Sequence, residues 1–244
     1  MKPSKLLSLF TGVFTALLVL TASIAVPLLC RPFYYAHIEA LNLDGYTGMS
    51  VEQIKEAFNQ VMDYCLGLRP DFAAGVLPFS QSGASHFADV RVLFVLDLVV
   101  AVVSLAALLV LFVLSRKCRL TPAPLLGHGP GFWAAIGLGA VFLVVGAVAA
   151  TNFERAFVVF HSLFFPGKTN WLFDWRTDPI ILLLPETFFR NCAILILALL
   201  IFWCAVLIAA DLLAQRRRRK QGPPPASPCS GCSGSDCSGC SGCS

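Results

Sequence analysis

Residues 81–100 read QSGASHFADVRVLFVLDLVV: a serine-bearing polar entry, one histidine, and then the first half of an apolar run that continues to Leu114. A bilayer core about 30 Å thick needs roughly 20 apolar residues in a helix rising about 1.5 Å per residue. The run over about Val92–Leu114 meets that length, so the stretch marks a chain entering a membrane with a histidine just outside it. Three further stretches qualify, about Leu6–Leu29, Phe132–Ala150 and Ala193–Leu213. The 244-residue chain is 57% apolar and only 13% charged, with a mean hydropathy of +0.76, which excludes an ordinary soluble domain. The expected fold is all-α: four transmembrane helices with a small, mostly helical extracytoplasmic cap.

The first stretch resembles a secretory signal, because Lys2 and Lys5 precede it. Its apolar run is longer than the 7–15 residues of a signal core, so it is read as an uncleaved anchor. Cys30 is preceded by Leu28 and Leu29 rather than by the small residue that lipoprotein processing needs. Basic residues crowd one side of the membrane: Lys2 and Lys5, then Arg116, Lys117 and Arg119, then Arg216 to Lys220. Both termini are therefore expected in the cytoplasm. Residues 1–220 form the membrane domain, with outer loops at 30–91 and 151–191.

In the first outer loop, Ser50 and Gln53 have capping-box spacing, and Val51, Ile54, Phe58, Val61 and Cys65 repeat with helical period, which predicts an amphipathic helix in the cap. The chain from Leu68 to Ser85 reads as extended structure and turns. Ser82 or Ser85 is the expected cap of the helix that becomes the second span, which puts His86 in its first turns. The positive end of the helix dipole disfavours imidazolium there, while Asp89 on the same side can orient the ring or oppose that bias. In the second outer loop Phe153, Phe157, Phe160 and Phe164 surround His161 at helical spacing and predict a short interfacial helix, ended by PGKTNW at 166–171. The run DPIILLLPETFF at 178–189 is too short to span and is expected at the interface or as an outer extension of the last span.

Asp97 is read as an acid paired to a polar group within the bundle. The spacing of Ala135, Gly139, Gly146 and Ala150 predicts close helix packing. Residues 221–244, dominated by Cys, Ser, Gly and Pro, are expected to form a disordered cytoplasmic tail. Cys229, Cys232, Cys237, Cys240 and Cys243 give it a weak capacity for zinc or copper(I).

His86 and His161 fall on the same side of the membrane, each beside an apolar helix and carboxylates. With ordinary pKa values near 6.5, such a pair can divide base and acid duties at neutral pH. His37 and His128 are read as structural. No GxSxG, HExxH, phosphate-cradling loop or nucleic-acid motif is present, so no metal, cofactor or nucleic acid is expected. Acid–base chemistry without an acyl-enzyme is the catalytic option left open.

The blocks SHFADVR (85–91) and FVVFHSLFFPGKTNWLFDWRTDPIILLLPETFFRN (157–191) resemble the signature of the lipoprotein intramolecular transacylase (Lit) family of bacterial membrane proteins. The resemblance implies four spans in the cytoplasmic membrane, an active site on the outer face, and His86 and His161 as catalytic residues. It also implies the reaction: the sn-2 acyl chain of a diacylglyceryl-cysteine lipoprotein moves to the α-amine of the same cysteine, giving the lyso form. The expected partners are diacylglyceryl lipoproteins and membrane lipid. Asp89, Arg91, Asn170 and Trp171 are candidates for orienting the pair or the substrate. Family members often carry an acidic residue shortly before the first histidine and Met after it, where this chain has Gly83, Ala84 and Phe87. A membrane acyl-ester hydrolase and a non-enzymatic scaffold are the competing readings.

Overall fold

The computed structural model describes residues 2–220; the cysteine-rich segment expected to be a disordered, metal-capable tail lies outside the described residues. Four helices are long and apolar enough to cross a membrane: α1 (Lys5–Leu29), α5 (Gln81–Lys117), α6 (Pro130–Thr151) and α9 (Glu186–Lys220). The shorter ones are α2 (Arg31–Ala40), α3 (Leu43–Thr47), α4 (Val51–Cys65), α7 (Phe153–Phe164) and α8 (Ile180–Leu183). All four predicted spans are present, and the chain is a multi-pass membrane protein. At 37 residues, α5 is about 55 Å long, far more than a bilayer core requires. Its first turns, before Val92, stand outside the apolar segment, and they carry His86.

Helix α1 lies against α5, α6 and α9, and α6 lies along α9. The predicted small-residue stripe of α6 is what brings α9 close. A Cβ added to Gly146 would stand 2.7 Å from Leu197 Cδ2, and one added to Gly139 would meet Cys204 Sγ at 3.8 Å. Outward-facing Val, Leu and Phe side chains such as Val102, Leu109, Val144 and Ile194 remain exposed, as a lipid-facing surface should be. Asp97 does not find the expected partner: its Oδ2 is shut from solvent with no hydrogen bond among the described residues. The buried hydroxyls of α1 are committed to their own helix, Thr21 to the Leu17 carbonyl at 2.8 Å and Ser23 to that of Val19 at 2.7 Å.

At one end of the bundle, α2, α3, α4 and α8 build a cap on the first turns of α5 and α9. The capping box of α4 is present, Ser50 Oγ accepting from Gln53 N and Gln53 Oε1 from Ser50 N. Its stripe is buried within the cap: Ile54, Phe58, Val61 and Cys65 join Tyr34, Ile38 and Phe188 in one core. Tyr34 stacks on Phe58 at 3.6 Å and donates its hydroxyl to the Leu183 carbonyl. The segment at 178–189 forms α8 and the first residues of α9 at this end of the bundle, and its apolar residues turn inward: Ile180, Leu183 and Leu184 are buried in that core.

At the opposite end, β1 (Lys2–Ser4) and β2 (Leu120–Pro122) form a short parallel pair that the sequence did not announce. There His128 Nδ1 meets Asp211 Oδ2 at 2.7 Å while Gly129 N donates to Asp211 Oδ1. At the cap, His37 holds the Phe33 carbonyl and Asn191 with its two nitrogens. Both histidines serve the structural role expected of them.

Candidate active site

Ser80, rather than Ser82 or Ser85, caps α5: its Oγ accepts from Gly83 N at 2.9 Å. The start is fixed from outside the helix. Asp178, buried between α7 and α9 in sequence, accepts from Ser80 N and Ser80 Oγ at 2.8 Å each, and from Thr177 Oγ1 at 2.9 Å. Gly83 makes this possible, since an added Cβ would lie 2.2 Å from Asp178 Oδ1. The carboxylate sits at the positive end of α5, holds the N–H and the hydroxyl of its cap residue, and ties the loop after α7 to the turn that carries His86.

Helix α7 starts at its Asn152 cap, which accepts from Arg155 N at 2.8 Å. Its phenylalanine spacing sets His161 inward, 7% exposed, while Val159, Phe160 and Leu163 face out. His86, 5% exposed, comes to meet it from α5. The two ring centroids are 5.8 Å apart with planes inclined by 32°. They share a cleft of about 60 Å³ with Phe157, Trp171, Phe173, Ile181 and Phe189 among its walls. Phe165 and Phe173 meet the His86 ring edge-on at 5.0 and 5.5 Å, and Trp171 lies 4.7 Å from the His161 ring.

His161 Nδ1 contacts the Phe157 carbonyl at 2.8 Å, one turn back on α7. A carbonyl accepts only, so Nδ1 carries the proton and Nε2 keeps its lone pair in the neutral ring. His86 Nδ1 is shut from solvent without a partner among the described residues. Burial pushes the His86 pKa down to about 4, assisted by the neighbouring His161 and by Lys168 and opposed by Asp89. Burial also lowers His161, against the hydrogen bond to Phe157, which raises it. Burial thus favours the neutral form of both rings, the form the helix-dipole argument anticipates for His86.

Beside the pair, Lys168 Nζ donates to Asp89 Oδ1. Asn170 Nδ2 donates to Asp89 Oδ2 at 3.2 Å and to Ser85 Oγ at 3.1 Å. Partial burial raises the Asp89 carboxyl, but the bonds from Lys168 and Asn170 and the Lys168 charge outweigh it and hold the pKa below the usual carboxylate value. Trp171 Nε1 donates to the Lys168 carbonyl at 3.0 Å. Asp89, Asn170 and Trp171 thus gather around the histidines. Arg91 does not: it donates to the Arg69 carbonyl at 3.1 Å and covers the Tyr64 ring, bracing the cap. Sequence reasoning passed over Lys168, read as part of a turn, and Ser85, read as a cap. Lys168 meets Asp89 and Ser85 meets Asn170 across about eighty positions of sequence, and such pairings leave no periodic signal.

Four apolar spans and a helical cap over a cleft that holds two imidazoles define a membrane-integral protein. The chain belongs to the lipoprotein intramolecular transacylase Lit family, whose model matches residues 9–189; it is an acyltransferase of that family. No curated protein matches the chain by sequence. Its fold is similar to that of the membrane-integral lipoprotein intramolecular transacylase Lit of Bacillus cereus, with a TM-score of 0.77 at 23% identity over 89% of this chain and 97% of that one. Structures of two variants of that protein, with a histidine replaced by arginine or by alanine, are also similar. Their TM-scores are 0.73 and 0.72, at 22% and 23% identity, over 89% and 88% of this chain and 94% of each of theirs.

Proposed function

We propose that the protein moves the sn-2 acyl chain of a diacylglyceryl-cysteine lipoprotein to the α-amine of the same cysteine, with His86 and His161 exchanging protons and the site on the outer face of the bacterial cytoplasmic membrane. The observation that supports this best is the meeting of two neutral, buried imidazoles in one cleft. His161 is the base: its Nε2 lone pair takes a proton from the amine as the nitrogen attacks the ester carbonyl. An unpaired buried acceptor is tolerated more readily than an unpaired buried N–H. His86 therefore carries its proton on Nε2 and hydrogen-bonds the glyceryl oxygen through it, and the proton that His161 took from the amine passes to that oxygen as the carbon–oxygen bond breaks. The proton taken from the amine is the one delivered to the leaving oxygen, so both imidazoles end neutral.

Amine and ester belong to one molecule, so positioning supplies much of the catalysis and no enzyme nucleophile is needed. Asp89, held by Lys168 and Asn170, fixes the approach of the loop after α7, and Trp171 packs His161 in place. The test is fragmentation of the lipoprotein N-terminal peptide after expression in a bacterium that makes diacylglyceryl lipoproteins. The acyl chain should leave the glyceryl fragment and appear on the amine. His86→Ala and His161→Ala should each lower conversion about 10²–10⁴-fold. Release of free fatty acid would assign a hydrolase instead, and unchanged diacyl peptide from inserted protein would sink the transacylase reading.

A further inference from the structure

Asn170 has an amide whose orientation is decided by its surroundings. The group facing Asp89 Oδ2 at 3.2 Å must be Nδ2, because a carboxylate oxygen and an amide oxygen both only accept. The second hydrogen of Nδ2 goes to Ser85 Oγ at 3.1 Å. Oδ1 is then left as an acceptor closed to solvent with no donor among the described residues. Lys168 Nζ, bonded to Asp89, and Trp171 Nε1, bonded to the Lys168 carbonyl, do not donate to it. Buried acceptors without partners are uncommon and call for an explanation.

The position of this orphan matters because Asn170 joins the two histidine-bearing elements. It bonds the residues on either side of His86 in α5, Ser85 and Asp89, and it directly precedes Trp171, which packs on His161. Trp171 is also a wall of the histidine cleft. That cleft, about 60 Å³, has room for about two waters at ~30 Å³ each. A substrate must therefore part its walls to react there. We infer that Asn170 Oδ1 accepts a hydrogen bond from the substrate's α-amine, holding one N–H while His161 removes the other. This rests on the transacylase reading and adds a named substrate-binding atom to it. A primary amine attacking the carbonyl has one hydrogen for the base and one for an acceptor, and a neutral carbonyl oxygen holds the second without taking it. The lone pair is thereby aimed at the ester rather than left to rotate.

The experiment is a cycle between enzyme and substrate. Parent protein and Asn170→Leu, with Asn170→Ser as a second variant, are reconstituted and given a synthetic diacylglyceryl-cysteine peptide with either a free or an N-methylated α-amine. The methyl group removes the hydrogen that Oδ1 would hold and leaves one for the base. In the parent, methylation should lower kcat/KM at least ten-fold. In both variants the methylation penalty should shrink to within about two-fold, while the free-amine peptide is itself slowed. If the N-methyl peptide is not turned over, its inhibition constant against the free-amine peptide gives the same comparison. An equal methylation penalty in parent and in whichever variant folds overturns the inference, and Oδ1 then serves no substrate N–H. Failure of the parent to move an acyl chain on the free-amine peptide would instead overturn the transacylase reading, so the two failures are distinct.

Discussion

Gly83→Ala tests the argument that a glycine is required where the His86 helix meets the loop after α7. The new Cβ would stand 2.2 Å from Asp178 Oδ1, 2.9 Å from its Cγ and 3.1 Å from Phe173 Cε1. Relief requires the carboxylate to retreat by about 1 Å or more to reach ordinary van der Waals contact, which breaks at least its 2.8 Å bond from Ser80 N. A hydrogen bond to a charged group contributes about 1.5–3 kcal/mol. Alanine recovers about 0.5–1 kcal/mol of helix preference over glycine. The net loss is about 1–2 kcal/mol, a drop of roughly 2–8 °C in unfolding midpoint for a chain of this size. Activity should fall further, because Phe173 is both a clash partner and a wall of the histidine cleft. The assay is thermal unfolding in detergent beside acyl migration on the free-amine peptide. Gly137→Ala is the control, since its Cβ meets nothing within 4 Å. Adding Gly83→Ala to Asp178→Ala should cost little more than Asp178→Ala alone. A stable, fully active Gly83→Ala protein, or additive losses in the double variant, would refute the reasoning.

Acid should destabilise the protein through its histidines. With His86 at about 4 in the fold and about 6.5 unfolded, the unfolded chain binds more protons between those values. Stability present above pH 6.5 is therefore lost as pH falls toward 4, by at most ~1.4 kcal/mol per pH unit for one proton; His86→Ala should flatten that slope in a melting series, and an unaltered slope would contradict it. Cys30 and Cys118, both exposed, lie at opposite ends of the bundle. An impermeant thiol reagent added to intact cells should label Cys30 and spare Cys118, and labelling Cys118 instead would reverse the proposed orientation. Gly146→Leu should separate α6 from α9 against Leu197 and lower the unfolding midpoint by several degrees, whereas Gly137→Leu should not.

The spans and the cap helix were legible because each rests on a local rule. Twenty apolar residues must cross a membrane, and the Ser50 to Gln53 spacing with a stripe of period 3.6 must make a helix with one buried face. The inward turn of Ile180 and Leu183 was not legible, because an apolar run of that length serves a protein core as well as a membrane surface. The start of α5 was misplaced for a similar reason. Ser80, Ser82 and Ser85 are all suitable caps, and the choice among them is made by Asp178, almost a hundred positions away. Asp97 was assigned a partner on general grounds, and among the described residues its Oδ2 has none. At the site, the meeting of the two histidines at one end of the bundle was expected from sequence. Their distance and the Lys168–Asp89–Asn170 chain depend on how α7 and the loop after it pack on α5.

The cleft's size bears on how the family's substrate would reach it. A diacylglyceryl-cysteine carries two long acyl chains, and the cleft of about 60 Å³ that the two imidazoles help to line is too small to take them in. The chains must then lie elsewhere, and the outer face of α7 is suited to that. Val159, Phe160, Leu163 and Phe164 are exposed on the side of the helix away from His161. Such a face on an amphipathic helix lies among lipid headgroups and acyl tails. Substrate chains that remain in the bilayer avoid the cost of extracting apolar length into water, about 0.8 kcal/mol per methylene. Only the ester and the amine then need to rise past α7 to the histidines. On this reading α7 has two duties set by one periodicity: its apolar face keeps to the lipid while its other face presents His161. A polar substitution such as Leu163→Asp should therefore raise KM for diacylglyceryl peptide in bilayers, and leave kcat on the same peptide in detergent nearly unchanged. A fall in kcat alone would show that the outer face of α7 supports the fold and takes no part in substrate access.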